Sequence, residues 1–316
     1  MNNERRLEEE RGFLYPKAPF DFQKSLSFLC SFNAMKNEQS IESGTMIKAF
    51  SVQGVPVVIE LSSEGSVNCP IVSYVLYSDD ELTESQAQEV LDRIDFFLSL
   101  SDDLTAFYDI GSKDSYFEPV LRNCYGYHQV KFMTPFENAC WAILVQRNPM
   151  PAACQLKRKL YEGYGRTLTV KGTEHFTFPE PADLLGASTE ALVETFGSKR
   201  AEYLQAVARA FAQTEAIFMK AGDYASVREW LLSIKGIGQW SVDFILIRGL
   251  GRMEQIPWQE KAAIEAASAV YHQPLSAKQV KEIADHFGEY QGYCSIIFGL
   301  TILYRSEQVY LYNLST

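Results

Sequence analysis

The chain has 316 residues, 47% of them apolar and 13% aromatic, enough to bury a sizeable core and to divide into two or three subdomains. No stretch approaches the roughly 20 apolar residues that span a bilayer, and the opening MNNERRLEEER lacks the apolar run of a secretory signal, so a cytoplasmic protein with no membrane partner is expected. A formal net charge of −11 weighs against nucleic-acid binding by bulk positive charge. Yet acids crowd Ser78 to Glu89 and Asp92 to Asp109, while Arg147 to Lys171 holds Arg147, Lys157, Arg158, Lys159, Arg166 and Lys171, which leaves room for a basic face.

In chain order, MIKAFSV from Met46 and the following VPVVIEL flank Gln53-Gly54. Two β-rich runs around a short glycine-containing turn predict a hairpin. Ile71 to Tyr77 predicts a further strand, and Glu84 to Leu100 a helix, giving a small antiparallel sheet with one helix over roughly residues 1–110. Beyond Thr134 apolar residues recur at helical spacing: Phe136, Cys140, Ile143 and Leu144, then Cys154, Leu156 and Leu160, then Ala201, Leu204 and Ala208. The proline-rich FTFPEP, Phe176 to Pro181, separates two helical groups. The expected class is therefore α+β, a sheet subdomain over 1–110 followed by a two-part all-α core over 111–316.

Six cysteines (Cys30, Cys69, Cys124, Cys140, Cys154, Cys294) show no CxxC spacing, and the four histidines (His128, His175, His272, His286) form no HExxH. Neither zinc nor a disulfide framework is expected. Chemistry is instead legible at Ser226 to Gly249, SVREWLLSIKGIGQWSVDFILIRG, where an amphipathic helix meets Gly236-Ile237-Gly238 and a second helix starts at once. This helix-hairpin-helix pattern, spanning Leu231 to Gly249, predicts a DNA-backbone anchor: glycines allow the bend and the close approach, and the N–H groups at the start of the second helix can grip a phosphate with little side-chain charge. An ordinary αα-hairpin would share the GxG. The flanking Leu231, Leu232 and Ile234, with Trp240, Phe244 and Ile247 at helical spacing after it, favour the anchor.

The block GIGQWSVDFILIRGLGRMEQIP resembles the hairpin and following helix of the alkyladenine (3-methyladenine) DNA glycosylase II type of the helix-hairpin-helix (HhH-GPD) superfamily. Phe136-Glu137 with Ala142 to Gln146, Tyr161 to Gly165, Phe178 to Pro181 with Leu184-Leu185, Phe196 to Ala201, and Phe287 to Cys294 resemble further family segments, in the family's order, over Thr134 to Leu303. Gln291 stands where the family usually has arginine. Pro19 to Phe28 resembles the family's opening before its TBP-like sheet. The resemblance implies a base-excision repair enzyme that flips a damaged purine, from alkylated double-stranded DNA, and hydrolyses its glycosidic bond.

The same resemblance assigns roles. Where the bifunctional 8-oxoguanine branch carries an attacking lysine this chain has Trp240, and the four clustered cysteines of the iron–sulfur branch are missing, so a monofunctional, cluster-free enzyme is implied. The catalytic aspartate's place falls on Glu260 in Pro257-Trp258-Gln259-Glu260, or on Gln259 if one residue is gapped. Either departure from aspartate leaves open a catalytically impaired DNA- or lesion-binding protein. A helical scaffold that uses the hairpin only structurally is a third reading. Trp240 and Phe244, with Tyr290 or Tyr293, are the expected base pocket. Gly236, Ile237, Gly238 and Gln239 are the expected backbone contacts. Gln146, Arg147 and Asn148 are expected at the gap left by the flipped nucleotide. No cofactor is expected beyond a Na+ or K+ held by the backbone carbonyls of Leu232, Ile234 and Ile237, and the chain is expected to act as a monomer.

Overall fold

The computed structural model describes residues 7–36 and 38–301. The chain begins with β1 (Glu8–Leu14) and α1 (Phe22–Ser31), then lays down β2 (Gln39–Glu42), β3 (Thr45–Val52), β4 (Val55–Ser63) and β5 (Val72–Ser78). These five strands form one antiparallel sheet in the order β1-β5-β4-β3-β2. The expected hairpin is β3–β4, paired from Thr45 with Ser62 to Val52 with Val55. Its turn residues Gln53 and Gly54 both have positive φ, 50° and 81°, the combination that matches the right-handed twist of the flanking strands. β1 and β2 were not read from the sequence: β1 is EEERGFL, exposed along nearly all its length, and carries no alternating apolar signal.

α2 (Glu84–Leu98) closes the sheet's inner face, and α3 (Thr105–Gly111) and α4 (Glu118–Asn123) lead away from it. The boundary drawn at residue 110 falls inside α3. α5 (Pro135–Leu144) is buried from Phe136 to Leu144, so it is a central helix rather than an amphipathic surface one. α6 (Met150–Tyr164) follows, and then a second hairpin, β6 (Thr167–Val170) and β7 (Thr173–Phe176), which the sequence reading missed. Leu168 and Val170 of this hairpin pack on Ala49, Val58 and Tyr77, while Val57, Ile59 and Leu61 face the main core. β4 is thus buried on both faces, which explains its unbroken apolar run.

The remaining helices are α7 (Pro181–Gly186), α8 (Thr189–Phe196), α9 (Ser198–Gln213), α10 (Ala216–Ala221), α11 (Tyr224–Ser233), α12 (Gln239–Phe244), α13 (Lys261–Val270) and α14 (Ala277–Asp285), with a last helix at 291–301. One core lies among α5 to α12. The other joins the sheet and α1 to α4 with α13, α14 and the last helix, so the chain returns to its N-terminal half after leaving the helical group. Residues beyond 301, including the end of the family-like block at Leu303, lie outside the described residues. Among the described residues no helix is long and apolar enough to cross a membrane.

The two halves are also joined by charge. The Lys157 ammonium, almost fully buried, donates to Glu137 (2.8 Å) and to the Ala34 carbonyl (2.8 Å), and pairs with Glu38. Tyr161 donates its hydroxyl to Glu38 at 3.1 Å, and Lys48 of β3 lies 3.7 Å from the same carboxylate. Burial by itself would push the Glu137 carboxyl up, but Lys157 and Lys48 outweigh it and hold it below the ordinary range. Lys157→Met should leave two carboxylates buried without their shared cation. Urea unfolding is expected to show a loss of about 3–5 kcal/mol; a variant as stable as wild type would mean that the network contributes nothing.

Candidate active site and hairpin

The site starts with a bend. α11 is capped by the Asp223 carboxylate, which accepts from the Ser226 N–H at 2.9 Å, and it ends at Ile234. Gly236 then takes φ +98°, and a Cβ placed there would lie 2.5 Å from the Tyr203 ring. Ile237 is buried, and its N–H donates to the Ile234 carbonyl at 3.0 Å, which tightens the turn. Gly238 has ordinary φ (−104°) and empty space where a side chain would be, and α12 starts behind it without a side-chain cap. Gln239, in the first turn, is exposed and accepts from Arg228 at 2.6 Å. Bare amides therefore face outward beside an open glycine, a geometry suited to an anion.

Helical spacing on α12 places Trp240, Asp243, Phe244 and Ile247 on one face. The Trp240 ring, 45% exposed, lies parallel to Phe244, with centroids 5.2 Å apart and planes at 8°. Phe244 is held from behind by the edge of Phe132, 5.9 Å away. α12 then widens into a π turn, Ile245–Gly249, whose Ile247 and Arg248 carbonyls accept from Gln129 Nε2 (2.9 Å) and the Phe132 N–H (3.0 Å). π turns recur at functional sites.

After the loop 250–259 the chain comes back at Glu260, the N-cap of α13. An acid there would be expected to cap the helix. Its side chain makes no capping bond. It instead lines a cavity of about 150 Å³ together with Trp240, Asp243, Phe244, Arg248 and Pro257. Partial burial, and then the Asp243 carboxylate, raise the Glu260 carboxyl above its ordinary value. Gln259 is exposed and is not among the lining residues.

The other expected site residues divide. Tyr293 is buried away from the cleft, its hydroxyl bonded to Asp102 and its ring 5.8 Å from Phe107; the Tyr290 ring lies 6.1 Å from the same phenylalanine. Neither lines the cleft, which corrects the expected third wall. The last helix turns Ser295, Ile296 and Gly299 towards the cavity, while Tyr293, nearer the helix start, packs into the Phe107 cluster. Gln146 donates to the Gly236 carbonyl at 2.7 Å and so braces the hairpin. Asn148 is committed to the Leu144 carbonyl (2.7 Å) and to Arg200 (2.8 Å), capping α5. Between them Arg147 is exposed in the left-handed region, φ 56°, and lines a depression with Lys199, Arg200 and Gly236. The Ile234 carbonyl is occupied by the Ile237 N–H, and no group of three or more His, Cys, Asp or Glu could hold a metal among the described residues.

Asp243, Arg228 and Tyr203 were missed by sequence reasoning. Asp243 was legible, because it shares the helical stripe of Trp240 and Phe244. Tyr203 was not, since nothing in α9 announces a contact with a glycine over thirty residues on.

A model of HhH-GPD superfamily base excision DNA repair proteins matches residues 140–287, which contain the bend, the aromatic pair and Glu260. That stretch, a little under half of the chain, is similar to the HhH-GPD superfamily. The chain is 23% identical over 284 residues to a DNA-3-methyladenine glycosylase of Bacillus subtilis, covering 87% of this chain and 92% of that protein. The fold matches that of a 3-methyladenine DNA glycosylase from Archaeoglobus fulgidus (TM-score 0.74, 22% identity, 92% of this chain and 97% of the other). It also matches a Clostridium acetobutylicum 8-oxoguanine glycosylase/lyase in complex with double-stranded DNA (TM-score 0.67, 18% identity, 96% and 98%). Coverage of 92% and 96% by these folds takes in the N-terminal sheet as well as the helical core.

The two glycines of this hairpin should respond differently to a methyl group. Gly236→Ala must hold a positive φ and meet Tyr203, and is expected to lose about 1–3 kcal/mol on denaturant unfolding. Gly238→Ala meets nothing and should lose less than about 1 kcal/mol. Equal losses would contradict the assigned packing.

Proposed function

We propose that the protein is a DNA glycosylase of base excision repair that removes alkylated purines from double-stranded DNA by hydrolysis, without a lyase step. The observation that carries this reading is the uncapped Glu260 carboxylate in the same small cavity as the parallel Trp240–Phe244 pair, next to the hairpin. Breaking an N-glycosidic bond builds positive charge on the sugar, and a fixed carboxylate in a partly dry cleft stabilises it. The exposed face of Trp240 offers an electron-rich surface to a flipped, electron-poor base. A covalent lyase route needs an amine nucleophile, and among the described residues no lysine lines the cavity.

The start of α12 holds a DNA phosphate through its amides and the open side of Gly238. Arg147 enters the duplex gap, and Gln146 acts one step behind it by fixing Gly236. The carbonyls of Leu232, Ile234 and Ile237 would hold a monovalent cation under the hairpin, with Ile234 sharing its carbonyl between the ion and the turn. Anchor and cleft lie on one chain, so a monomer suffices. Its damaged duplex sets its place of work in the cytoplasm, at the nucleoid in a bacterium.

Excision from methylated duplex DNA tests the reading. Glu260→Gln is expected to lower single-turnover excision by about 10²–10³-fold with little change in duplex affinity. Gly238→Ala should weaken duplex binding while leaving unfolding stability near wild type, as read by fluorescence polarisation at low salt. Binding without product in wild type would establish instead a lesion-binding protein that has lost its chemistry through the aspartate-to-glutamate departure.

A further inference from the structure

Asp243 is the second carboxylate of the cleft. It lines the same cavity of about 150 Å³ as Glu260, and it is clamped from behind by Arg228 of α11, which forms an ion pair with Asp243 through one guanidinium nitrogen and donates to the Gln239 side chain through another at 2.6 Å. The remaining charged groups around Glu260 do not compete. Arg248, at the π turn, lays its guanidinium over the rings of Phe28 (4.9 Å) and Phe32 (5.4 Å) and donates to the Val130 carbonyl. The last helix contributes Ser295, Ile296 and Gly299, none of which carries charge. Lys261, next to Glu260, is 89% exposed and pairs with Glu265.

Two carboxylates share one small cleft, and among the described residues only Asp243 is paired with a cation. When like charges share a site, the proton goes first to the member with the weaker electrostatic support. Here that member is Glu260, the group that must be ionised to stabilise the sugar. We propose that Asp243 is a positioning residue for the reaction: fixed beside Glu260 by its ion pair with Arg228, it sets the proton affinity of Glu260 and thereby the acid edge of excision. This inference rests on the glycosylase reading of the same cleft. The raised proton affinity of Glu260, from partial burial and from Asp243, agrees with it.

The pair makes two opposite demands. Removing the negative charge with Asp243→Asn should lower the pH at which Glu260 protonates. Removing the clamp with Arg228→Gln should raise it, because Asp243 then presents its charge unshielded; Arg228→Lys, which keeps the cation, should return the midpoint close to wild type. Protein labelled with ¹³C at the glutamate carboxyl reports the Glu260 midpoint directly by NMR titration, without DNA. Each shift is expected to be about half a pH unit or more, about threefold in the protonated fraction. The acid limb of kcat/KM for excision from methylated duplex should move in the same directions. If Glu260→Gln excises as well as wild type, the parent reading falls and this one with it. If Glu260→Gln is inactive while the Glu260 midpoint and the acid limb are unmoved by Asp243→Asn and Arg228→Gln, this inference alone is overturned.

Discussion

One steric exclusion governs the functional half of the molecule: no side chain fits at position 236. The Tyr203 ring fills the space where its Cβ would lie, and the backbone there takes φ +98°. The turn between α11 and α12 is therefore as tight as glycine allows, and Gln146 locks it by bonding the Gly236 carbonyl from the end of α5. The direction of α12 follows from that bend. So does the placement of Trp240 and Phe244 on its inner face and of unpaired amides at its start. A change at Tyr203 or Gln146 would reach the cleft through the bend without touching it.

The cleft itself depends on how a helix is ended. α12 neither stops nor continues regularly; it widens into the π turn Ile245–Gly249, and Gly249 there backs directly on the Asn138 side chain of α5. The carbonyls released by the widening are taken up by the segment around Gln129 and Phe132, which joins the sheet half to the helical half. The rim of the cleft is thus fastened to both cores. Glu260 enters from the next helix as an N-cap residue that does not cap, and an acid freed from the amides of its own helix is available to something else.

Net acidity and the proposed DNA binding are compatible on this architecture because an anchor at the start of α12 would work through backbone dipoles. Many of the basic side chains are already committed within the protein: Lys157 to Glu38 and Glu137, Arg228 to Asp243, Arg93 to Glu89 and Lys171 to Glu60. Arg147, Lys199 and Arg200 remain around the depression beside Gly236. In the proposed reading a few local charges and a helix start would carry the phosphate contact, in place of an overall positive field.

The sequence by itself determined the α+β order, the β3–β4 hairpin, the helix-hairpin-helix, and the pairing of Trp240 with Phe244, because each rests on a period or a turn within about twenty residues. It also contained two signals that went unread: Ser43-Gly44 and Lys171-Gly172 repeat the positive-φ pair of Gln53-Gly54 and turn the β2–β3 and β6–β7 hairpins. Tertiary structure alone shows that Glu260, and not Gln259, lines the cleft, since one register separates them in sequence and only the approach of α13 turns Glu260 inward. It sent Tyr290 and Tyr293 to the Phe107 cluster, because a last helix of known sequence still has a free rotation about its axis until it packs. It also brought α13, α14 and the last helix back to the N-terminal sheet, a partnership set by which apolar faces α5 to α12 leave uncovered.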